Sequence, residues 1–413
     1  MSDSSFTPAA VATRDRLDTP PETPAGQELA TELSVVLPCL NEADTLGTCI
    51  RKAKRAMREH EISGEVIVAD NGSTDGSQEI ARAEGARVVT VAERGYGSAL
   101  MGGIAAARGR YVLMGDADDS YDFLELPRFV RRLREGHHLV QGCRLERGGG
   151  RVLPGAMPLL HRRLGNPIFS ALARSWFRAP INDVYCGMRA FTKEHYERLR
   201  QRCTGMEFAT EMIIKSSLGS ARITEVPITL HPDGRRAHAP HLRTFRDGWR
   251  TLRFFLLFSP RWLFLVPGVA LVLLGLLGYA VALPATQVFG VTFDAHTLLF
   301  ASLAIICGYE SIMFGMFTKV FAVSEGLHPP DPRLERIHRT ITLEKGLLVG
   351  AVAVLVGVVL LVLAVNKWRN TGFGELDYAS TMRLVVPGVT LTALGFQTLL
   401  SSFFVSVLGL NRL

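Results

Sequence analysis

Short apolar runs alternate with amphipathic stretches between residues 33 and 114. A strand is expected over Leu33–Leu37, ended by Pro38, and then a helix from Ala43 to His60. Glu65–Ala69 reads as the next strand, Ser77–Glu84 as a short helix and Arg87–Val91 as a third strand. A Gly/Ala-rich helix over Gly97–Arg108 leads to a fourth strand, Tyr111–Met114. Strands alternating with helices of this length build βαβ units and a mostly parallel sheet. Polar clusters follow three of the strands: Pro38-Cys39-Leu40-Asn41-Glu42, Asp70-Asn71-Gly72-Ser73 and Asp116-Ala117-Asp118. In such a sheet these ends share one edge, where ligands bind, so the three clusters are expected to form one site.

Beyond Phe191 the pattern loosens. A helix is expected over Ala209–Leu218, a strand over Ile223–Leu230, and a polar, basic loop over His231–Thr244. Phe245–Phe258 then mixes Arg with Trp, Phe and Leu at helical spacing, the mark of a helix lying in a membrane interface. Four apolar runs follow, at about Trp262–Leu283, Leu298–Val323, Leu347–Val365 and Leu384–Leu410. Each suffices for a span of about 20 residues. Glu310 lies inside the second run, either as a functional acid or as a partner for a neighbouring helix. The loop after the first span has no Lys or Arg, whereas the next carries Lys319, Arg333, Arg336, Arg339 and Lys345. Lys367, Arg369 and Arg383 flank the third loop. The charge bias puts the middle loop, both termini and the sheet domain on the cytoplasmic side.

Composition narrows the picture further. The net charge of +7 suits anionic partners such as headgroups, nucleotides or lipid phosphates. No basic helix with interleaved aromatics is present, so nucleic acid is not an expected partner. The six cysteines (Cys39, Cys49, Cys143, Cys186, Cys203 and Cys307) form no CxxC pair and no zinc spacing, and read as reduced thiols. The first residues are rich in Ser, Thr, Pro, Ala and Asp without an apolar core, which reads as a disordered tail rather than a signal peptide. The expected organisation is a tail over 1–31, a catalytic domain over 32–232, a basic loop with interfacial helix over 233–260, and four spans over 261–413.

The acidic motif can do chemistry. Two alternate carboxylates, Asp116 and Asp118, at a strand end can converge on Mg²⁺ or Mn²⁺ and bridge it to a diphosphate, neutralising charge on the leaving group. With Asp119 and Asp122 nearby, a solvated acidic turn is the plain alternative. In Asp70-Asn71-Gly72-Ser73-Thr74-Asp75-Gly76-Ser77, the glycines permit unusual backbone angles, Ser77 can cap a helix, and Asp70 can accept from a base. Glu42 can hold a ribose or base.

Together these motifs resemble family-2 glycosyltransferases of the GT-A fold, and within them dolichol-phosphate mannose synthases and bacterial polyprenyl-phosphate glycosyltransferases. The resemblance covers about residues 33–260. It implies donor binding by Pro38, Leu40, Asn41, Glu42, Asp70, Asn71, Gly72, Asp116, Ala117 and Asp118. Asp116 and Asp118 would hold a divalent metal. Asp119-Ser120-Tyr121-Asp122-Phe123 departs from commoner versions, which leaves a third metal ligand unassigned. Asp183 matches an acid near the reacting centre, and Arg189 an arginine that meets the lipid phosphate or, alternatively, pairs with Asp183. Asp183, Asp118 and Arg189 are thus the implied catalytic set. Glu207 and Glu211 stand where related enzymes face the acceptor. Arg235, Arg236 and Arg243 resemble a segment closing over the diphosphate, although the usual Ser-Lys pair is missing.

The implied reaction is inverting transfer of a hexose from a UDP-glucose- or GDP-mannose-type donor to polyprenyl or dolichyl phosphate, at the cytoplasmic face of a cell's inner membrane. The implied partners are the donor, the lipid acceptor and the bilayer, with room for a homo-oligomer. A processive polysaccharide synthase would carry Gln-x-x-Arg-Trp; here Arg261-Trp262 lacks the Gln. A non-catalytic protein with a decayed sheet domain is the remaining alternative, and the intact acidic motifs oppose it.

Overall fold

The computed structural model describes residues 31–235, 244–284, 287–288, 291–329, 331 and 342–409. The expected tail, and Arg236 and Arg243, lie outside the described residues.

The chain opens β1(Leu33–Cys39), α1(Leu46–Glu59), β2(Gly64–Asp70), α2(Ser77–Ala83), β3(Arg87–Thr90), α3(Tyr96–Ala106) and β4(Tyr111–Met114). These four strands are parallel, in the order β3-β2-β1-β4. After α4(Leu126–Arg134) come β5(Leu139–Cys143), the short β6(Arg151–Val152), α5(Asn166–Phe177), β7(Arg189–Thr192), α6(Lys193–Leu199), α7(Glu207–Leu218), β8(Ile223–Pro227) and β9(Thr229–Leu230). The sheet continues from β4 through β7, β5 and β8, with β7 antiparallel to both neighbours. The domain is thus a mostly parallel, GT-A-like α/β sheet.

Period-two alternation along β1 divides the core. Val35, Leu37 and Cys39 join Leu46 and Ile50 of α1 with Phe129 of α4 on one face. Val36 joins Leu100 and Ile104 of α3, Phe208 and Met212 of α7, and Phe177 of α5 on the other. Each such side chain contributes about 1.5–3 kcal/mol by leaving water. The buried side chains of α1 other than Gly47 (Leu46, Cys49, Ile50, Ala53, Ala56 and Met57) recur every three or four residues, one stripe of a helix.

Three expectations change. Pro38 does not end β1, which runs to Cys39; beyond Val36 it pairs with β2 alone, so a residue without an N–H is tolerated. Ser77 does not cap α2; Gly76 is the N-cap, and the Ser77 hydroxyl accepts from the Glu42 amide instead. The stretch Ile223–Leu230 is two strands, the second pairing with β6.

After α8(Thr244–Leu257), four helices are long and apolar enough to cross a membrane: Arg261–Ala282, Ala295–Ser324, Leu343–Asn370 and Tyr378–Leu408. The first packs on the second and the third on the fourth. Their contacts depend on missing side chains: a Cβ on Gly308 would come 2.7 Å from the Gly268 carbonyl, and one on Gly395 2.7 Å from that of Gly350. A polar seam joins the second and fourth spans, with Tyr309 Oη 2.8 Å from Thr398 Oγ1 and Gln397 Nε2 donating to Glu310 at 2.9 Å. Glu310 therefore has a neighbouring-helix partner. The first span also reaches the fourth, with Tyr279 Oη 3.1 Å from Thr390 Oγ1, and between 6% and 22% of each span's most apolar stretch is buried.

The sheet domain sits on the spans through aromatic contacts. Trp176 of α5 stacks on Trp262 at 5.5 Å, and Phe258, just after α8, stacks on His328 beyond the second span at 5.9 Å. Arg202 donates to the Glu325 carbonyl. The loop after the second span therefore lies on the sheet-domain side, where the charge bias placed it.

Candidate active site

The three polar clusters meet at the carboxyl edge of the sheet. Asn41, in the left-handed region at φ 60°, follows β1; its amide donates to Ser73 Oγ at 2.9 Å, and its side-chain oxygen accepts from Thr74 N at 2.9 Å. The Ala43 amide donates to Asp75 at 2.9 Å, and Thr45 Oγ1 donates to the Ala117 carbonyl at 2.7 Å. The loops after β1, β2 and β4 are thereby one fabric. Asn71 extends it to the loop after β3, donating to the Val91 and Glu93 carbonyls and accepting from Gly95 N. Asp70 is fully buried, with its carboxylate taken up by Gly72 N, Ser73 N and Gln78 Nε2. It shapes the loop beside Leu40, which is exposed.

At the end of β4, Tyr96 Oη donates to Asp116 Oδ1 at 2.9 Å. Asp118 Oδ1 accepts from both the amide and hydroxyl of Ser120. Burial first, and then the neighbouring Asp118, push the Asp116 carboxyl up to about 6. Two hard-oxygen carboxylates held together in a buried place, one with a raised pKa, match the donor set for a divalent cation. Among the described residues no three His, Cys, Asp or Glu side chains gather at one point, so substrate oxygens and water would complete the shell, as Mg²⁺ commonly requires. Opposite these acids, Arg235 reaches Glu42 at 3.1 Å, Asp118 at 2.9 Å and Asp233 at 2.7 Å.

The segment before β7 is rigid. Asp183, fully buried, is gripped by Arg144, with Nε at 2.7 Å from one oxygen and Nη2 at 2.9 Å from the other. Gln141 Nε2 donates to the Asp183 and Cys186 carbonyls, and Asn182 is held by Glu225. The Gly187 amide donates to Tyr121 Oη at 2.8 Å; a Cβ there would stand 2.7 Å from Asp116 Oδ2, so only glycine lets this loop approach the acidic motif.

Sequence reasoning expected Arg189 to meet a phosphate or pair with Asp183; Asp183 pairs with Arg144 instead. Arg189 is fully buried, donating to the carbonyls of Ala209 and Cys186. Glu211 is likewise buried, bound to Lys215 and to the amides of Arg202 and Cys203. Glu207 faces Arg250 of α8 at 3.6 Å.

What the sequence did not reveal is a basic pocket beside Asp183. Arg147, Arg162, Arg163 and Arg174 line a cavity of about 280 Å³ with Leu145, Glu146, Leu159, Pro167 and Asn182, and Arg162 pairs with Glu146. Leu159 of its lining and, in the same stretch of chain, Leu160, Leu164 and Ile168 are exposed, between 47% and 61%. The three leucines precede α5, which begins at Asn166, contains Ile168 and packs its Phe169 and Phe177 on Phe255 of α8. A pair of arginines set between leucines, Leu159-Leu160-His161-Arg162-Arg163-Leu164, was the available signal. Arg144 had another: it follows a strand's carboxyl end.

Comparison with known proteins identifies the family. Residues 34–200 match the model of glycosyl transferase family 2, and residues 316–409 that of the glycosyltransferase family 2 C-terminal transmembrane region. A low-salt glycan biosynthesis hexosyltransferase of Haloferax volcanii is 36% identical over 386 residues, covering 93% of this chain and 91% of its own. A dolichyl-phosphate hexose transferase of the same organism is 32% identical over 52% of this chain and 89% of its own. Among solved structures, glucosyl-3-phosphoglycerate synthase from Mycobacterium tuberculosis, crystallised with Mn²⁺, uridine diphosphate and glucosyl-3-phosphoglycerate, is similar over 55% of this chain and 78% of its own, at 24% identity and a TM-score of 0.42. The same enzyme was also crystallised with Mg²⁺ and uridine diphosphate, at 26% identity over 55% and 79% of the two chains and the same TM-score. The chain is a membrane protein that belongs to glycosyltransferase family 2.

Proposed function

We propose that this glycosyltransferase moves a hexose from a nucleotide-sugar onto the phosphate of a polyprenyl lipid at the cytoplasmic leaflet. The observation that carries this reading is the pocket lined by Arg147, Arg162, Arg163 and Arg174: Asn182, the neighbour of Asp183, and the exposed Leu159 share its wall, and α5, which supplies Pro167 and Arg174 to it, packs on α8. Arginine forks suit phosphate, and the leucines suit the first isoprenoid units. The curated names of the two Haloferax relatives, a hexosyltransferase and a dolichyl-phosphate hexose transferase, support it.

The donor's diphosphate end belongs at the acidic edge. Asp116 and Asp118 would hold a divalent cation, Mg²⁺ or Mn²⁺, which supplies charge neutralisation to the departing nucleoside diphosphate. Glu42, Asn41 and Asn71 shape the cleft for the nucleoside, and Arg235 supplies positive charge on the phosphate side. A lipid phosphomonoester is already anionic at neutral pH and needs little general base. Its oxygen attacks the anomeric carbon from the face opposite the leaving group; the new C–O bond forms as the bond to diphosphate breaks, and configuration inverts. Asp183, with no exposed surface, acts by holding Arg144 and the 182–187 loop in place.

The test is transfer of radiolabelled sugar into organic-extractable lipid by detergent-purified protein, given polyprenyl phosphate, Mg²⁺ or Mn²⁺ and a panel of UDP- and GDP-sugars. An acid-labile lipid product from one donor, lost with a chelator and with Arg162→Ala/Arg163→Ala, is expected. Transfer that persists in the double variant at the same lipid KM removes the pocket from the reaction. No lipid product from any donor overturns the acceptor.

A further inference from the structure

Arg235 occupies a position where a metal–diphosphate complex is expected to place positive charge. Its Nη2 lies 2.9 Å from Asp118 Oδ2, its Nη1 3.1 Å from Glu42 Oε1, and its Nε and Nη2 bind Asp233. The other Asp118 oxygen accepts from Ser120 N and Oγ at 3.0 and 2.6 Å, so the oxygen Arg235 covers is the one turned away from that turn. The guanidinium is delivered by backbone pairing along the acidic segment: His231 N donates to the Ser120 carbonyl at 2.9 Å and Gly234 N to that of Asp118 at 3.0 Å. The Arg235 side chain is only 13% exposed.

We infer that Arg235 is a built-in counter-cation which a divalent metal must displace from Asp118, and which the donor's diphosphate then takes over. The inference rests on the metal assignment proposed above. The Nη2 donor that covers Asp118 Oδ2 blocks that oxygen to a metal. While Arg235 neutralises Asp118 and Glu42, free metal competes against it and binds weakly. A diphosphate offers the guanidinium a bidentate partner of its own and frees the carboxylate, so metal and nucleotide load together. The device makes metal uptake conditional on nucleotide and keeps the acidic edge neutralised between turnovers.

The experiment measures Mn²⁺ binding to the full-length detergent-purified protein by electron paramagnetic resonance, with and without UDP or GDP. In the wild type, the matching nucleotide is expected to tighten Mn²⁺ binding by tenfold or more. In Arg235→Gln, Mn²⁺ without nucleotide is expected to bind about tenfold tighter, and the nucleotide's effect to shrink to a fewfold at most. Arg235→Lys, which keeps the charge but not the fork, falls between and serves if the Gln variant is unstable. Mn²⁺ affinity unchanged in both variants, with Asp118→Asn still abolishing binding, overturns the displacement while leaving the metal assignment intact. Absence of Mn²⁺ binding in every form, nucleotide included, overturns the metal assignment itself and the inference with it.

Discussion

Asp183 and Arg144 are both buried and bind through two parallel hydrogen bonds, so removing one partner strands the other charge out of water. Breaking a buried pair on one side costs about 3–5 kcal/mol, whereas a neutral amide of the same shape keeps part of the hydrogen bonding. Asp183→Ala is therefore expected to lower unfolding stability by that amount in denaturant titration, and Asp183→Asn by clearly less with nucleotide binding retained. A loss under about 1 kcal/mol for the alanine variant contradicts the positioning role. His195 gives a pH signature at the same scale. Burial, helped by the charges of His138 and Arg198, lowers its pKa from 6.5 to about 4, and its Nε2 lies 2.8 Å from Ser216 Oγ. The unfolded chain binds a proton there below pH 6.5 and the folded chain only near pH 4. The neutral ring's contribution is thus complete above pH 6.5 and is lost as pH falls toward 4. His195→Gln is expected to flatten the stability profile across that window; an unchanged slope argues against it.

At the scale of elements, the strands and their polar ends were readable because a buried parallel strand carries an apolar run and a ligand site follows its carboxyl end. The loop Asp116–Asp118 lies where Tyr111–Met114 predicts it. The pairing of Arg144 with Asp183 was hidden for a physical reason: the two are 39 positions apart, and their meeting depends on β7 entering antiparallel between β4 and β5, which no local pattern encodes. The carbonyls of Ala209 and Cys186 that Arg189 holds were not legible either, because backbone acceptors leave no sequence signature. The packing of the spans was equally silent, since hydropathy gives the number and length of spans but not their neighbours. Glycine contacts set those neighbours. Gly308→Val is expected to force the first two spans apart against the Gly268 carbonyl, costing about 1–3 kcal/mol. Thermal unfolding in detergent should fall for this variant, and Gly326→Val, where an added Cβ meets nothing within 4 Å, serves to calibrate backbone strain alone.

For the whole molecule, the contacts of the sheet domain with Glu325 and His328 fix which membrane side each loop shares. Asp294 and Arg383 pair at 3.0 Å at the opposite end, so the turn around residues 371–377 lies away from the sheet domain. With a cytoplasmic sheet domain, Glu375→Cys, in a background where Cys203 and Cys307 are Ser, should react with an impermeant maleimide added outside intact cells. A cysteine at Arg222, on the sheet domain, should react after lysis alone. The reverse pattern would invert the orientation. The arginine-lined pocket of the sheet domain carries a kinetic consequence. An acceptor reaching it by diffusion in the plane of a leaflet meets the enzyme at a rate set by molecules per unit area. Turnover should then follow the surface mole fraction of polyprenyl phosphate, and diluting it with inert phospholipid at constant bulk amount should slow the reaction.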